Sequence, residues 1–177
     1  MFASSAWVAF GPMSLWGNIA AAAGLAIALV LDTADGHLAR LQGTASAFGR
    51  WLDEVLDESA DMALHAAIAW GAWQRHGQPL WIVLGMTYGM GKYLFRVATE
   101  SSPDAAEAGG EATHGPLRST PPRRLVRLLG HADVRWHLWI ALALAGRLEL
   151  ALAAYAIYFP ARAGANLLGK AIRHARG

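Results

Sequence analysis

No charged residue occurs between Met1 and Leu31, a run longer than the roughly 20 residues needed to cross a bilayer. Gly11-Pro12 interrupts it, so the pattern predicts one helix ending near Phe10 and a second spanning about Gly17 to Leu31. A secretory leader would start with basic residues and end at a small-residue cleavage site. Here the run has no basic start and passes straight into carboxylates. Four further spans follow from hydropathy. One covers about Trp51 to Trp73, polar in its first turns and apolar after Met62. Another covers Pro79 to about Val97, entered by the turn Gly77-Gln78-Pro79. The last two, about Val134 to Ala145 and Leu148 to Asn166, pair through Gly146-Arg147. Between them and the middle spans, residues 101–124 are rich in Ser, Pro, Gly and Glu and read as an exposed cytoplasmic loop. The expected architecture is all-α. It is a polytopic membrane bundle of about six transmembrane helices, the first apparently incomplete, in a single domain over residues 1–177.

Composition sharpens this picture. Hydrophobic residues make up 55% of the chain and charged ones 16%, against about 25% charged in soluble domains. Low charge without a polar linker argues against disorder. Because there is no cysteine, a disulfide scaffold, a thiolate zinc site and a thiol nucleophile are all excluded. The net charge of +2 gives no reason to expect nucleic acid as a partner. The distribution of basic residues says more. With alternating spans, Arg40, Arg50, Arg96, Arg118, Arg123, Arg124, Arg127, Arg162, Lys170, Arg173 and Arg176 share one side, and little beyond Arg75 and Arg147 faces the other. Excess Lys and Arg mark the cytoplasmic face, which puts the chain in the cell (inner) membrane with its C-terminus inside. The bland alternative is a soluble helical bundle with a very apolar core. Trp51, Trp73, Trp81, Trp136 and Trp139 fall near predicted span ends, as an interfacial belt requires.

The chemistry lies in four carboxylates. Asp32 and Asp35 are three apart at the end of one span, and Asp53 and Asp57 are four apart at the start of the next. Those spacings place each pair on one helix face, and a short turn between the helices would let the pairs meet. Clustered carboxylates repel and need a cation that Arg40 alone does not supply. Hard oxygen ligands suit Mg²⁺ or Mn²⁺, especially with substrate phosphates completing the coordination. Ionisable groups at membrane depth are costly and mark function by default. Their plain structural role would be to cap helix ends and face water.

These residues form the pattern Asp32-x2-Asp35-Gly36-x2-Ala39-Arg40-x8-Gly49-x3-Asp53-x3-Asp57 without a departure. The chain thereby resembles the class I CDP-alcohol phosphatidyltransferase family, on a motif covering residues 32–57. The resemblance implies an integral membrane enzyme, usually of six helices, that transfers a phosphatidyl or similar group from a CDP-alcohol, typically CDP-diacylglycerol. The acceptor is a small alcohol and CMP is released. It further implies that Asp32 and Asp53 each bridge two divalent metals, Asp35 ligates one, and Asp57 ligates the other while serving as general base. Gly36, Ala39, Arg40, Ser46 and Gly49 would lie against the CDP-alcohol. Two metals would neutralise charge on the transferred phosphoryl and on the leaving CMP. Gly36 would let nucleotide approach the backbone, and Arg40 would offer a planar fork to phosphate. Members carry a complete first helix preceded by a Pro-Asn element, which here would fall before Met1. The expectation is therefore a gene start placed too late.

Other residues carry weaker signals. Asp61 follows Asp57 by four, and extending the cluster, orienting a neighbour and a plain structural role are all open to it. Glu54 and Glu58 read as a polar flank, and His65 as an interior histidine. Lys92 and Arg96, four apart, either bind a phosphorylated acceptor or anchor their helix among lipid headgroups. Arg123, Arg124 and Arg127 suit an anionic lipid surface. Gly85 and Gly89 form a Gly-x-x-x-Gly that lets helices approach, a slight pointer to a homodimer. Acceptors within the family include glycerol phosphate, inositol phosphate, inositol, serine and choline, and the basic residues lean towards a phosphorylated polyol. Two rival readings are a non-catalytic family relative and a membrane divalent-cation carrier. A carrier, however, would place its carboxylates near the bilayer midplane on broken helices.

Overall fold

The computed structural model describes residues 1–12, 14–43, 46–100 and 132–175. The described residues form six helices and no strands: α1 (Phe2–Phe10), α2 (Leu15–Leu41), α3 (Ala47–His76), α4 (Leu80–Glu100), α5 (Ala132–Leu144) and α6 (Leu148–His174). The loop expected over residues 101–124, and Arg123, Arg124 and Arg127 with it, lie outside the described residues. Each break has a local cause. α1 stops at Gly11, ahead of Pro12, which cannot donate a helical hydrogen bond. α3 ends in a left-handed Gly77 (φ 67°) whose N–H bonds the Trp73 carbonyl at 2.7 Å, a conformation glycine adopts without strain. Gly146 (φ 65°) performs the same reversal between α5 and α6.

Helix boundaries depart from expectation at the motif. α2 does not stop near Leu31 but continues unbroken to Leu41, so Asp32, Asp35, Gly36, Ala39 and Arg40 are all helical. Nothing in residues 32–41 breaks a helix except Gly36, and one glycine costs only about 1 kcal/mol. α6 likewise extends past Asn166 to His174.

The helices alternate in direction, and the closest packing is α4 on α6, α1 on α3, α2 on α5 and α3 on α4. Small residues make the close approaches. A Cβ on Gly85 would lie 2.7 Å from that of Ala69, and one on Gly91 would overlap the ring of Pro160. The Gly85 part of the predicted close approach is thus used within the chain, between α3 and α4. The core gathers Leu25, Leu64, Tyr88, Trp139 and Leu152, all essentially inaccessible. Trp139 therefore leaves the expected interfacial belt: at 1% exposure it packs beside His65 and Trp136. Trp51, at 56%, does lie on the surface.

Among the described residues one helix, over Leu15–Ala39, is long and apolar enough to cross a membrane, and α5 is apolar but shorter. α1 is uncharged but only nine residues long, and α3, α4 and α6 interleave charges with their apolar runs, as α4 does with Lys92 and Arg96.

Candidate active site

α2 delivers the first half of the motif and α3 the second. Between them Gly43 takes a positive φ of 65°, and Ser46 caps α3 by accepting the Gly49 N–H at 2.9 Å. A side-chain oxygen at this position satisfies one of the four unpaired N–H groups of a helix start. The turn brings α2 and α3 together at their motif ends, although the two helices pack little along their lengths.

Asp32 from α2 and Asp53 and Asp57 from α3 each place a carboxylate oxygen within 4.8 Å of the others, and all three residues are exposed. Asp35 is exposed too but does not join this group. Three residues on from Asp32, it lies about 60° round the helix and about 4.5 Å along it. Oxygen-only donors this close repel one another in the absence of a cation. They fit a hard divalent ion, which takes carboxylate oxygens and keeps other positions open for water or phosphate.

The remaining motif residues have these positions. Gly36 and Ala39 are partly buried on α2, and Arg40 lies in its last turns. Ser46 and Gly49 have a structural task in the cap. A Cβ on Gly49 would lie 3.2 Å from Ser46 Oγ, so glycine there also keeps the cap compact.

One turn beyond Asp57 the chemistry changes. Asp61 is 5% exposed. Its Oδ2 accepts from Tyr88 Oη at 2.5 Å and from Lys92 Nζ. Its backbone carbonyl lies 2.8 Å from His65 Nδ1, and the His65 ring stacks on Tyr88 with centroids 3.6 Å apart. Lys92 Nζ also lies 3.1 Å from Glu58 Oε2. Arg96 pairs with Glu54 and approaches Glu58 at 3.8 Å.

Asp61 does not join the acidic cluster and is instead a buried ion-pair and hydrogen-bond partner of α4. Glu54 and Glu58 are not a plain polar flank but ion-pair partners for α4. His65 is interior, as expected, at 1% exposure. Tyr88 was not anticipated as part of this site. Its place four residues before Lys92, on the same helix face, was the available signal. Arg135 is a second omission: its guanidinium stacks over Trp139 and Phe159 at 5.4 and 5.6 Å.

None of the curated proteins compared with the chain matches it. The family model for CDP-alcohol phosphatidyltransferase does match, over residues 1–121. That is more than half of the 177 residues and includes every motif residue. Members transfer substituted phosphate groups from a CDP-alcohol to an alcohol in phospholipid biosynthesis. With three of its motif carboxylates converging from α2 and α3, the chain belongs to the CDP-alcohol phosphatidyltransferase family.

Proposed function

We propose that this chain is one domain of an integral membrane enzyme that transfers a phosphatidyl group from CDP-diacylglycerol to an alcohol, releasing CMP, with Mg²⁺ or Mn²⁺ bound at a two-metal site. The convergence of Asp32, Asp53 and Asp57 oxygens within 4.8 Å carries the reading. When bound, the metals supply charge neutralisation at the pyrophosphate. Asp32, Asp53 and Asp57, with Asp35 beside them, would supply the carboxylate ligands that hold the metals. Asp57 takes the proton of the acceptor hydroxyl as its oxygen bonds to the phosphorus bearing the diacylglycerol. The bond from that phosphorus to CMP breaks, and CMP leaves with the electron pair. Gly36, Ala39, Arg40, Ser46 and Gly49 border the nucleotide.

Support for the membrane comes from the exterior. Large apolar side chains are exposed on all six described helices, including Phe10, Trp16, Val30, Trp51, Met86, Val134 and Ile157. A soluble monomer rarely shows so much apolar surface. The ends of the bundle differ in basic residues: Arg40, Arg50, Arg96, Arg162, Lys170 and Arg173 fall towards the motif end of their helices, and Arg75 and Arg147 towards the other. By the positive-inside rule the motif end faces the cytoplasm. The acceptor in this reading is a phosphorylated polyol such as glycerol phosphate or inositol phosphate, contacted by Lys92 and Arg96 when they exchange a carboxylate partner for its phosphate.

The test is CMP release from CDP-diacylglycerol by membranes carrying the full chain, across a panel of acceptor alcohols. Release that needs Mn²⁺ or Mg²⁺, stops with chelator and is highest with a phosphorylated polyol is the expected outcome. Release that persists in chelator, or in Asp57→Asn, would sink the proposal. Equal release with inositol or serine would overturn the choice of acceptor alone.

A further inference from the structure

At the end of the bundle opposite the acidic cluster, α1, α2, α3 and the α5–α6 turn surround an open-mouthed cleft with about 50 Å³ of free space. That is room for a small polar group, a few times the roughly 10–15 Å³ that a single water needs. Glu149 lines it, with a side chain only 5% exposed. Its Oε2 accepts from Arg75 Nη1 at 3.1 Å, while its Oε1 is buried and takes no hydrogen bond among the described residues. The cations nearest Oε1, Arg147 Nη1 at 3.7 Å and His76 Nε2 at 3.9 Å, stand beyond hydrogen-bond distance. Arg75 is held in place by a second bond, to the Gly146 carbonyl at 2.8 Å.

A buried carboxylate oxygen without a donor is costly, and such a group calls for an explanation. A donor entering the cleft removes the cost. Charge around the opening narrows the ligand. Arg75 and Arg147 are 34% and 62% exposed, and two guanidiniums beside one carboxylate leave a net positive rim. Planar guanidinium forks suit phosphate. The Trp7 indole N–H is already committed to the Gly17 carbonyl at 3.0 Å, so its ring serves as an apolar wall. Along α2, Asn18 at this cleft and Asp32 at the acidic cluster are 14 residues apart, about 20 Å at 1.5 Å per residue. The cleft thus stands at the opposite leaflet in the membrane reading above, on which this inference rests.

We propose that the cleft binds the headgroup of a zwitterionic phospholipid carrying a primary ammonium. The ammonium N–H donates to Glu149 Oε1, and the phosphate bridges Arg75 and Arg147. A quaternary ammonium has no N–H to give, and a hydroxyl headgroup offers Oε1 only an uncharged, weaker donor. The site therefore discriminates on one hydrogen bond.

The test uses the full chain in detergent, titrated by native mass spectrometry with phosphatidylethanolamine, phosphatidylcholine and phosphatidylglycerol of identical acyl chains. Phosphatidylethanolamine should bind about tenfold more tightly than phosphatidylcholine, as one charge-assisted hydrogen bond allows. Glu149→Gln should erase that preference. Arg147→Gln, at an exposed position that spares the fold, should weaken phosphatidylethanolamine severalfold. Equal retention of the three lipids by the unmodified chain would overturn the site, as would a preference that survives Glu149→Gln. Should that variant fail to fold, the headgroup comparison and Arg147→Gln decide the matter. CMP release and detergent-dependent extraction are recorded on the same preparation. Lost release with intact lipid preference sinks the enzyme reading alone, and extraction without detergent sinks the membrane reading.

Discussion

Asp57 and Asp61 are the same residue type, one turn apart on α3, and they live in different chemistry. Asp57 is exposed and meets two other carboxylates. Asp61 is buried, its carboxylate meeting a lysine and a phenol and its backbone carbonyl the ring of a histidine. The difference comes from the neighbouring helices. Near Asp57 the partner is the end of α2, which packs little along α3 and brings another acid. At Asp61 it is α4, packed closely because Gly85 leaves room for Ala69. A carboxylate left repelling its neighbours can hold a cation that arrives from outside. One that is already paired stabilises the fold instead.

The sharpest way to break this contrast is to remove each acid. Asp57→Asn should lower CMP release by about 10²- to 10⁴-fold, the range of a lost general base, with unchanged helical content by circular dichroism. A stability loss equal to that of an Asp61 variant would erase the distinction between the two sites. Asp61→Ala should cost up to about 3–5 kcal/mol, because it removes the acceptor of Tyr88 and leaves the buried Lys92 with the partly exposed Glu58 alone. Thermal unfolding in detergent measures this, and the double variant with Lys92→Met should recover much of the loss. A smaller effect is expected where helices touch without charge. Gly91→Ala drives a methyl into the Pro160 ring and should cost about 1–3 kcal/mol, read as a lowered unfolding midpoint. Smallest is Ser46→Ala, which removes the α3 cap for about 1 kcal/mol. Its activity should fall only as far as the turn between Asp32 and Asp53 loosens, and an unchanged midpoint would mean the cap is idle.

Much of the site was legible before any coordinates. The spacing of Asp32, Asp53 and Asp57 placed them on facing helix surfaces, because helical periodicity is local and the connecting turn is short. What spacing did not reveal was that Asp35 stands outside the trio, since that depends on how far α2 is rotated about its axis. By spacing alone Glu54 and Glu58 read as a polar flank. They pair with α4 because Lys92 and Arg96 recur at the same interval on the facing helix, a coincidence that only packing exposes. Trp139 was placed in an interfacial belt by its position near a span end, yet the inward-facing side of α5 buries it. Position along a helix is readable from hydropathy, but the direction a side chain takes around the helix is set by its neighbours.

The amino-acid sequence by itself determined the helical class, the breaks at Gly11, Gly77 and Gly146, and the acidic motif with the family it marks. All of these depend on local backbone preference or on residue identity at fixed spacing. Tertiary structure alone decided which carboxylates meet and which become buried ion pairs. It also closed a cleft around Glu149 from residues that lie far apart along the chain. Those outcomes depend on helix rotation and close approach, which small residues such as Gly85 and Gly91 permit and no local preference specifies.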